Sequence, residues 1–229
     1  RKNRNSFNHK LMDNNITIED NNSVIKFLKT NPILTNNKKV KNFEDMWSKW
    51  LGVKYSVFVN SGSSANLVSI SYLRTLFNSG EIIVPTLTWV SDITSILYSN
   101  FKPVFVDINL DTLSLDDTNL EKVINKNTRA IFLTHLLGLN GLTDKILKLV
   151  KKHKLFLIED VCESHGAKFN KKKLGTFGDI SNFSFYYAHH MSTIEGGMVC
   201  TNNKEIYQKV RIMRGHGLLR ESTDKNLKR

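Results

Sequence analysis

The chain has 229 residues, 40% hydrophobic and 24% charged, with a formal net charge of +12. This describes a globular protein able to bury one sizeable core, and no apolar run nears the roughly 18 residues that would span a bilayer. Lysine and arginine are scattered among asparagines and do not cluster on one aromatic-studded element, which argues against a nucleic-acid surface and for a solvated basic one that helps steer an anionic ligand.

In chain order, residues 1–22 are polar and asparagine-rich and read as an arm. Apolar residues then recur at helical spacing over Ser23–Leu28 and Lys41–Leu51 (Phe43, Met46, Trp47, Trp50). Seven short apolar runs follow, at 57–59, 82–84, 104–106, 131–133, 156–158, 183–185 and 198–200. Most are continuous, as suits strands covered on both faces. Helical patterns at 65–77, 120–124 and 143–153 lie between them, so the order predicts an α/β layered domain over residues 23–201. Residues 204–214 read as a connecting helix within a segment, 202–229, that begins a second domain. A first residue Arg1 and a last stretch without a closing element lead us to expect a piece of a longer protein. Two cysteines, Cys162 and Cys200, are too few for a disulfide framework and predict a reducing, cytoplasmic setting.

Open α/β sheets bind ligands beyond the carboxyl ends of their strands. Polar residues stand at several such ends: Asn60–Ser64, Thr86–Trp89, Thr134 with His135, Asp160, and Ser184. The turn SGSSAN (61–66) opens a helix, whose free N–H groups and dipole favour a phosphate. Asp160 in LIEDVCESHGA (157–167) offers a carboxylate at a strand end. Trp89 in VPTLTWVSD (84–92) offers an aromatic face, and His189 and His190 form a pair after a strand. No C-x-x-C or H-x-x-x-H spacing suggests a metal site. Read on their own, these residues point to a site for a phosphorylated ligand.

SGSSAN, EDVCESHGA and HHMSTIEGG occur in the order found in the DegT/DnrJ/EryC1/StrS family of sugar-modifying enzymes, and residues 25–220 resemble it. The resemblance implies an aspartate aminotransferase-like large domain with a mostly parallel, mixed seven-stranded sheet between helices. It implies pyridoxal 5′-phosphate (PLP) as cofactor. Gly62, Ser63, Ser64 and Ser184 would hold the phosphate, Trp89 would stack on the ring, and Asp160 would keep the pyridine nitrogen protonated as an electron sink. Glu163 would approach the phenolic oxygen. His135, His165 and His190 are assigned structural roles, His190 through a hydrogen bond.

His189 stands where ordinary sugar aminotransferases of the family carry the lysine that bonds the cofactor aldehyde. Imidazole lacks a primary amine but moves protons near neutral pH. With Glu163 in place of the glutamine of most transaminating relatives, the resemblance points to the 3-dehydratase branch. It implies removal of the C3 hydroxyl from a nucleotide-linked 4-keto-6-deoxyhexose, GDP-4-keto-6-deoxymannose foremost, in deoxysugar and O-antigen synthesis. L-glutamate would convert PLP to pyridoxamine 5′-phosphate, and His189 would act as base and then acid. A homodimer with shared sites is implied, with no nucleic-acid or membrane partner. Three alternatives stand beside this. An iron–sulfur, pyridoxamine-phosphate-dependent dehydrase of a CDP-linked sugar needs four cysteines; Cys162 matches one, and 201–229 supply none. A sugar 4-aminotransferase wants lysine at 189. A non-catalytic sugar-nucleotide binder has no need of an electron sink at Asp160.

Overall fold

The computed structural model describes residues 14–223. Its eleven strands, in chain order, are β1 (Tyr55–Val59), β2 (Glu81–Pro85), β3 (Lys102–Val106), β4 (Ile108–Asn109), β5 (Ser114–Leu115), β6 (Thr128–Thr134), β7 (Phe156–Asp160), β8 (Lys168–Phe169), β9 (Lys172–Lys173), β10 (Ile180–Ser184) and β11 (Gly197–Thr201). Seven form one sheet in the order β1-β11-β10-β7-β6-β2-β3, while β4–β5 and β8–β9 are small two-stranded ribbons. All seven apolar runs read from the sequence lie in, or overlap, strands of this sheet. Neighbours pair in parallel except around β11, which is antiparallel to both β1 and β10.

Helices α1 (Ile18–Leu28), α2 (Lys38–Leu51), α3 (Gly62–Arg74), α4 (Val90–Tyr98), α5 (Leu120–Val123), α6 (Asp144–His153) and α7 (Lys204–Arg214) complete the fold. The sheet is covered on both sides, which is why its strands are continuously apolar. On one face Trp47 and Leu51 of α2 and Ile146 and Leu149 of α6 pack with Leu133, Leu157, Phe183 and Met198. On the other, Ile70 and Leu73 of α3, Ile96 of α4 and Val210 of α7 pack with Phe132, Ile158 and Val199. Leu157 and Ile158 thus serve opposite cores, as strand alternation requires. The expected aspartate aminotransferase-like α/β architecture is the one present.

Two segments add to the sequence reading. The polar stretch read as an arm over 1–22 contains a helix start. Thr17 and Asp20 form a reciprocal capping box, the Asp20 amide bonding Thr17 Oγ1 (3.2 Å) and the Thr17 amide bonding Asp20 Oδ2 (2.8 Å). Residues 1–13 of that stretch lie outside the described residues. The helix at 204–214, read as the connection to a second domain, packs against the sheet. Ile206, Tyr207 and Val210 are buried in the second core, and Arg214 bonds the buried Glu44 (2.8 Å) and the Phe58 carbonyl (3.1 Å). Its apolar face and its cation both find partners in this body. Among the described residues, no helix is long and apolar enough to cross a membrane.

Candidate active site

The strands β1, β2, β6, β7 and β10 end at one edge of the sheet, and the loops leaving them gather the candidate residues there. Ser61 caps α3: its Oγ accepts the Ser64 amide (3.0 Å) and lies 3.1 Å from Ser64 Oγ. The first helical bond runs from the Ala65 amide to the Ser61 carbonyl. The Gly62 and Ser63 amides carry no hydrogen bond among the described residues, so they stand free at the positive end of the helix dipole. The Ser64 amide is already used by the cap. Gly62 is glycine for a reason of space: a Cβ there would lie 2.7 Å from Ser184 Cβ and 3.0 Å from Cys162 Sγ. The start of α3, the end of β10 and the turn after β7 therefore close on one another. Ser184 is buried, and its Oγ accepts the Tyr186 amide (3.2 Å).

Asp160 is buried at the end of β7, 3% exposed. Its Oδ1 accepts the Cys162 amide (2.9 Å) and its Oδ2 the Asn66 side-chain amide (3.0 Å). Asn66 in turn accepts from Asn182 (2.9 Å), which accepts from Ser69 (2.7 Å). The same Asn66 nitrogen reaches Asp92 Oδ1 (2.6 Å) and Ser91 Oγ (3.1 Å). Asp92 Oδ2 is bonded by Thr134 (2.9 Å) and by Thr88. A polar network thus runs through the interior beneath Asp160, linking α3, α4, β6 and β10. Burial foremost, and then the charge of Asp160, push the Asp92 carboxyl well above the usual carboxylate range.

Trp89 is the N-cap residue of α4, in extended backbone, and its indole is left 61% exposed. The loop after β2 thus presents a large, flat, apolar side chain mostly to solvent. Glu163 is half-buried, and its Oε2 accepts the Leu137 amide (3.1 Å), so the loops after β6 and β7 are joined at that carboxylate. His189 lies on the loop between β10 and β11. Its amide bonds the Tyr186 carbonyl (3.0 Å), while the Tyr187 and His189 carbonyls both accept from Asn15 (3.1 Å each). Burial lowers the His189 pKa below the ordinary imidazole value of 6.5, and the charges of Glu163 and Asp160 pull the other way. Burial thus favours the neutral imidazole, with two carboxylates within electrostatic reach.

Among the described residues, His190 does not make the structural hydrogen bond expected of it. It is exposed, and its ring lies 5.3 Å from that of His165. His165 is packed among Trp47, Phe183 and Phe185, neither ring nitrogen has a hydrogen-bond partner among the described residues, and burial lowers its pKa to about 3. His135 bonds Glu159 (3.2 Å) and accepts the Gly141 amide (3.1 Å), wholly inside the protein. Asn15, Asn66 and Asp92 were not picked out from the sequence, although Asn66 and Asp92 sit inside the quoted motifs SGSSAN and VPTLTWVSD.

A family model for the DegT/DnrJ/EryC1/StrS aminotransferase family matches residues 14–229. The chain belongs to that family. It is 38% identical over 199 residues to the GDP-4-keto-6-deoxy-D-mannose 3-dehydratase of Escherichia coli O55:H7, covering 85% of this chain and 51% of that protein. The solved structure of the E. coli GDP-4-keto-6-deoxy-D-mannose-3-dehydratase with bound hydrated PLP superposes with a TM-score of 0.88 at 36% identity, over 93% of this chain and 56% of that one. A GDP-4-keto-6-deoxymannose-3-dehydratase with a trapped PLP–glutamate geminal diamine gives the same TM-score at 34% identity, with the same coverage. The chain spans about half the length of these relatives.

Proposed function

We propose that the full-length protein is a PLP-dependent 3-dehydratase that removes the C3 hydroxyl of a nucleotide-linked 4-keto-6-deoxyhexose, GDP-4-keto-6-deoxymannose foremost, with L-glutamate as amino donor. The observation that carries this reading is His189: an imidazole on the loop between β10 and β11, whose far end closes on Ser61 and Gly62 at a helix start with free amides, and which feels the charges of Glu163 and Asp160. The residues fit the cofactor. The Gly62 and Ser63 amides, with Ser63, Ser64 and Ser184 hydroxyls nearby, suit a phosphate dianion. The uncovered Trp89 indole suits a planar ring. Asp160 keeps unused acceptor capacity on a buried carboxylate, which suits a protonated ring nitrogen. When bound, PLP supplies an electron sink and, in its amine form, a nitrogen able to engage the sugar's 4-keto carbon.

The chain's own residues would then divide the work. Asp160 holds the ring charge, and Glu163, fixed by the Leu137 amide, approaches the phenolic side. His189 takes a proton at Nδ1 or Nε2 as an unprotonated base and returns it, as imidazolium, to the departing C3 oxygen. A lysine at 189 would instead provide a primary amine, the basis of transamination. Cys200 lends no support to an iron–sulfur enzyme: it is buried in β11 beside Ser56, and burial pushes its thiol up to about 12. The same reading includes a homodimer with shared sites and a place in cytoplasmic deoxysugar synthesis for O-antigen.

The test incubates full-length protein with PLP, L-glutamate and GDP-4-keto-6-deoxymannose and follows the sugar nucleotide by mass spectrometry. We expect loss of the C3 oxygen with no nitrogen gained. An amino-sugar product would overturn the reading.

A further inference from the structure

Asp92 and Asp160 are two carboxyl groups in one buried network, and no lysine, arginine or histidine forms an ion pair with either among the described residues. Two uncompensated carboxylates cannot both stay ionised out of water; one of them takes a proton. The hydrogen-bond geometry says which. Asp92 Oδ2, Thr88 Oγ1 and Thr134 Oγ1 form a triangle of three oxygens: Thr88 to Thr134 is 2.6 Å, Thr134 to Asp92 is 2.9 Å, and Thr88 also bonds Asp92. Each of the three contacts needs a hydrogen between its oxygens, and the two threonine hydroxyls supply only two. The third belongs to Asp92. Asp160, by contrast, accepts the Cys162 and Asn66 amides, with the Asp92 carboxyl and the Cys162 thiol as its other polar neighbours, so no oxygen contact around it is short of a hydrogen once Asp92 carries the proton.

We propose that Asp92 is a carboxylic acid in the working protein and a positioning residue for the cofactor ring, acting through Asn66 on Asp160 and through the first turn of α4 on Trp89. Its carbonyl side takes the Asn66 amide, its hydroxyl side closes the ring with the two threonines, and its own amide bonds the Trp89 carbonyl (3.0 Å). The acid thus braces, from one point, the carboxylate expected at the ring nitrogen and the indole expected on the ring face. Being neutral, it leaves a single negative charge to meet a cationic ring. The upward push on its carboxyl by burial and by Asp160 agrees with this. The titratable groups facing it are Asp160 and, through the same turn, Cys162. The positioning part rests on the PLP reading above; the protonation state does not.

Two measurements on full-length protein separate these parts. The first is the infrared difference spectrum between wild type and Asp92→Asn, both free of cofactor, at neutral pH. We expect a carboxylic-acid carbonyl band that the variant lacks; its absence from the wild type overturns the assignment. The second is PLP affinity, read by quenching of tryptophan fluorescence. Asp92→Ala strands the donors it leaves and should weaken binding about ten-fold. Asp92→Asn keeps a carbonyl for Asn66 and an N–H for the threonines and should recover affinity to within about three-fold. An alanine variant that binds like the parent, or an asparagine variant as weak as alanine, overturns the positioning role. If the parent takes up no PLP, the proposed function and the positioning role fall while the infrared band still decides the state of Asp92. The band also needs no alanine variant, should that one fail to fold.

Discussion

Glu159 and Asp160 are consecutive acids on β7, both buried, and the strand sends them to opposite faces. Glu159 is saturated: Oε1 accepts the Phe177 (2.9 Å) and Gly178 (2.7 Å) amides, and Oε2 accepts the Gly175 amide (2.8 Å) and meets His135 Nε2 (3.2 Å). A carboxylate has about four acceptor positions, so nothing remains for a ligand. Asp160 accepts only two amides, its other polar neighbours being the Asp92 carboxyl and the Cys162 thiol, so it is not saturated as Glu159 is. Burial and charge therefore do not separate a structural acid from one fit for chemistry. Unspent hydrogen-bonding capacity does.

The comparison breaks most sharply through stability. Glu159→Gln turns an NH2 toward backbone donors and should cost about 3 kcal/mol in urea unfolding, whereas Asp160→Asn should cost about 1 kcal/mol. The same Asp160→Asn should weaken PLP binding at least ten-fold or so, through loss of a charge-assisted bond; Glu159→Gln, in whatever fraction folds, should bind PLP like the parent. Equal costs for the two would erase the distinction. On the Asp160 face, His189→Lys should reduce dehydration by about a hundred-fold or more. It should also give a borohydride-fixed mass adduct with PLP that the parent lacks. An unchanged intact mass would contradict the position given to residue 189. With His189 intact, the acid limb of kcat/KM should fall below 6.5, the direction in which burial moves its pKa.

On the Glu159 face, His165 supplies a pH test. Its pKa falls from 6.5 unfolded to about 3 folded. Between those values the unfolded chain binds a proton that the native one refuses, so stability is complete above 6.5 and is lost as pH falls toward 3. His165→Phe, filling the same aromatic nest, should flatten the slope in that window by up to one proton, ~1.4 kcal/mol per pH unit. Parallel stability curves for the two proteins would count against it. The smallest effect belongs to Asn15→Ala, which frees the Tyr187 and His189 carbonyls. We expect unfolding within about 1 kcal/mol of the parent and kcat/KM lowered roughly three-fold; an unaltered kcat/KM would show that the tether has no bearing on the loop.

The sheet was legible because apolar runs between turn-forming residues carry their own signature, and all seven matched. Helix α4 was not singled out, for a physical reason. Its polar residues Ser91, Asp92 and Ser95 are buried, while Val90, Leu97 and Tyr98 face solvent, so its pattern inverts the usual reading. Asn66 and Ser69 of α3 hide in the same way. Residues at strand ends could be named because such ends collect ligands. The residues that support them could not, since a buried amide or acid inside a helix looks in sequence like a surface one. The hydrogen bond expected of His190 failed on similar grounds, as adjacency to His189 says nothing about which way a loop turns each ring.

The β10–β11 connection has a further consequence. Its ends are clasped, Phe185 to Gly196 (2.8 Å) and Thr193 to Phe185 (3.0 Å), between two strands that pair from Ser181 with Cys200 to Ser184 with Gly197. Residue 189 rides on a closed excursion whose clasping hydrogen bonds are all made by backbone atoms. On the proposed function, a change of codon there would alter the chemistry while leaving the backbone clasp in place, so the loop's side chain and its scaffold could vary independently.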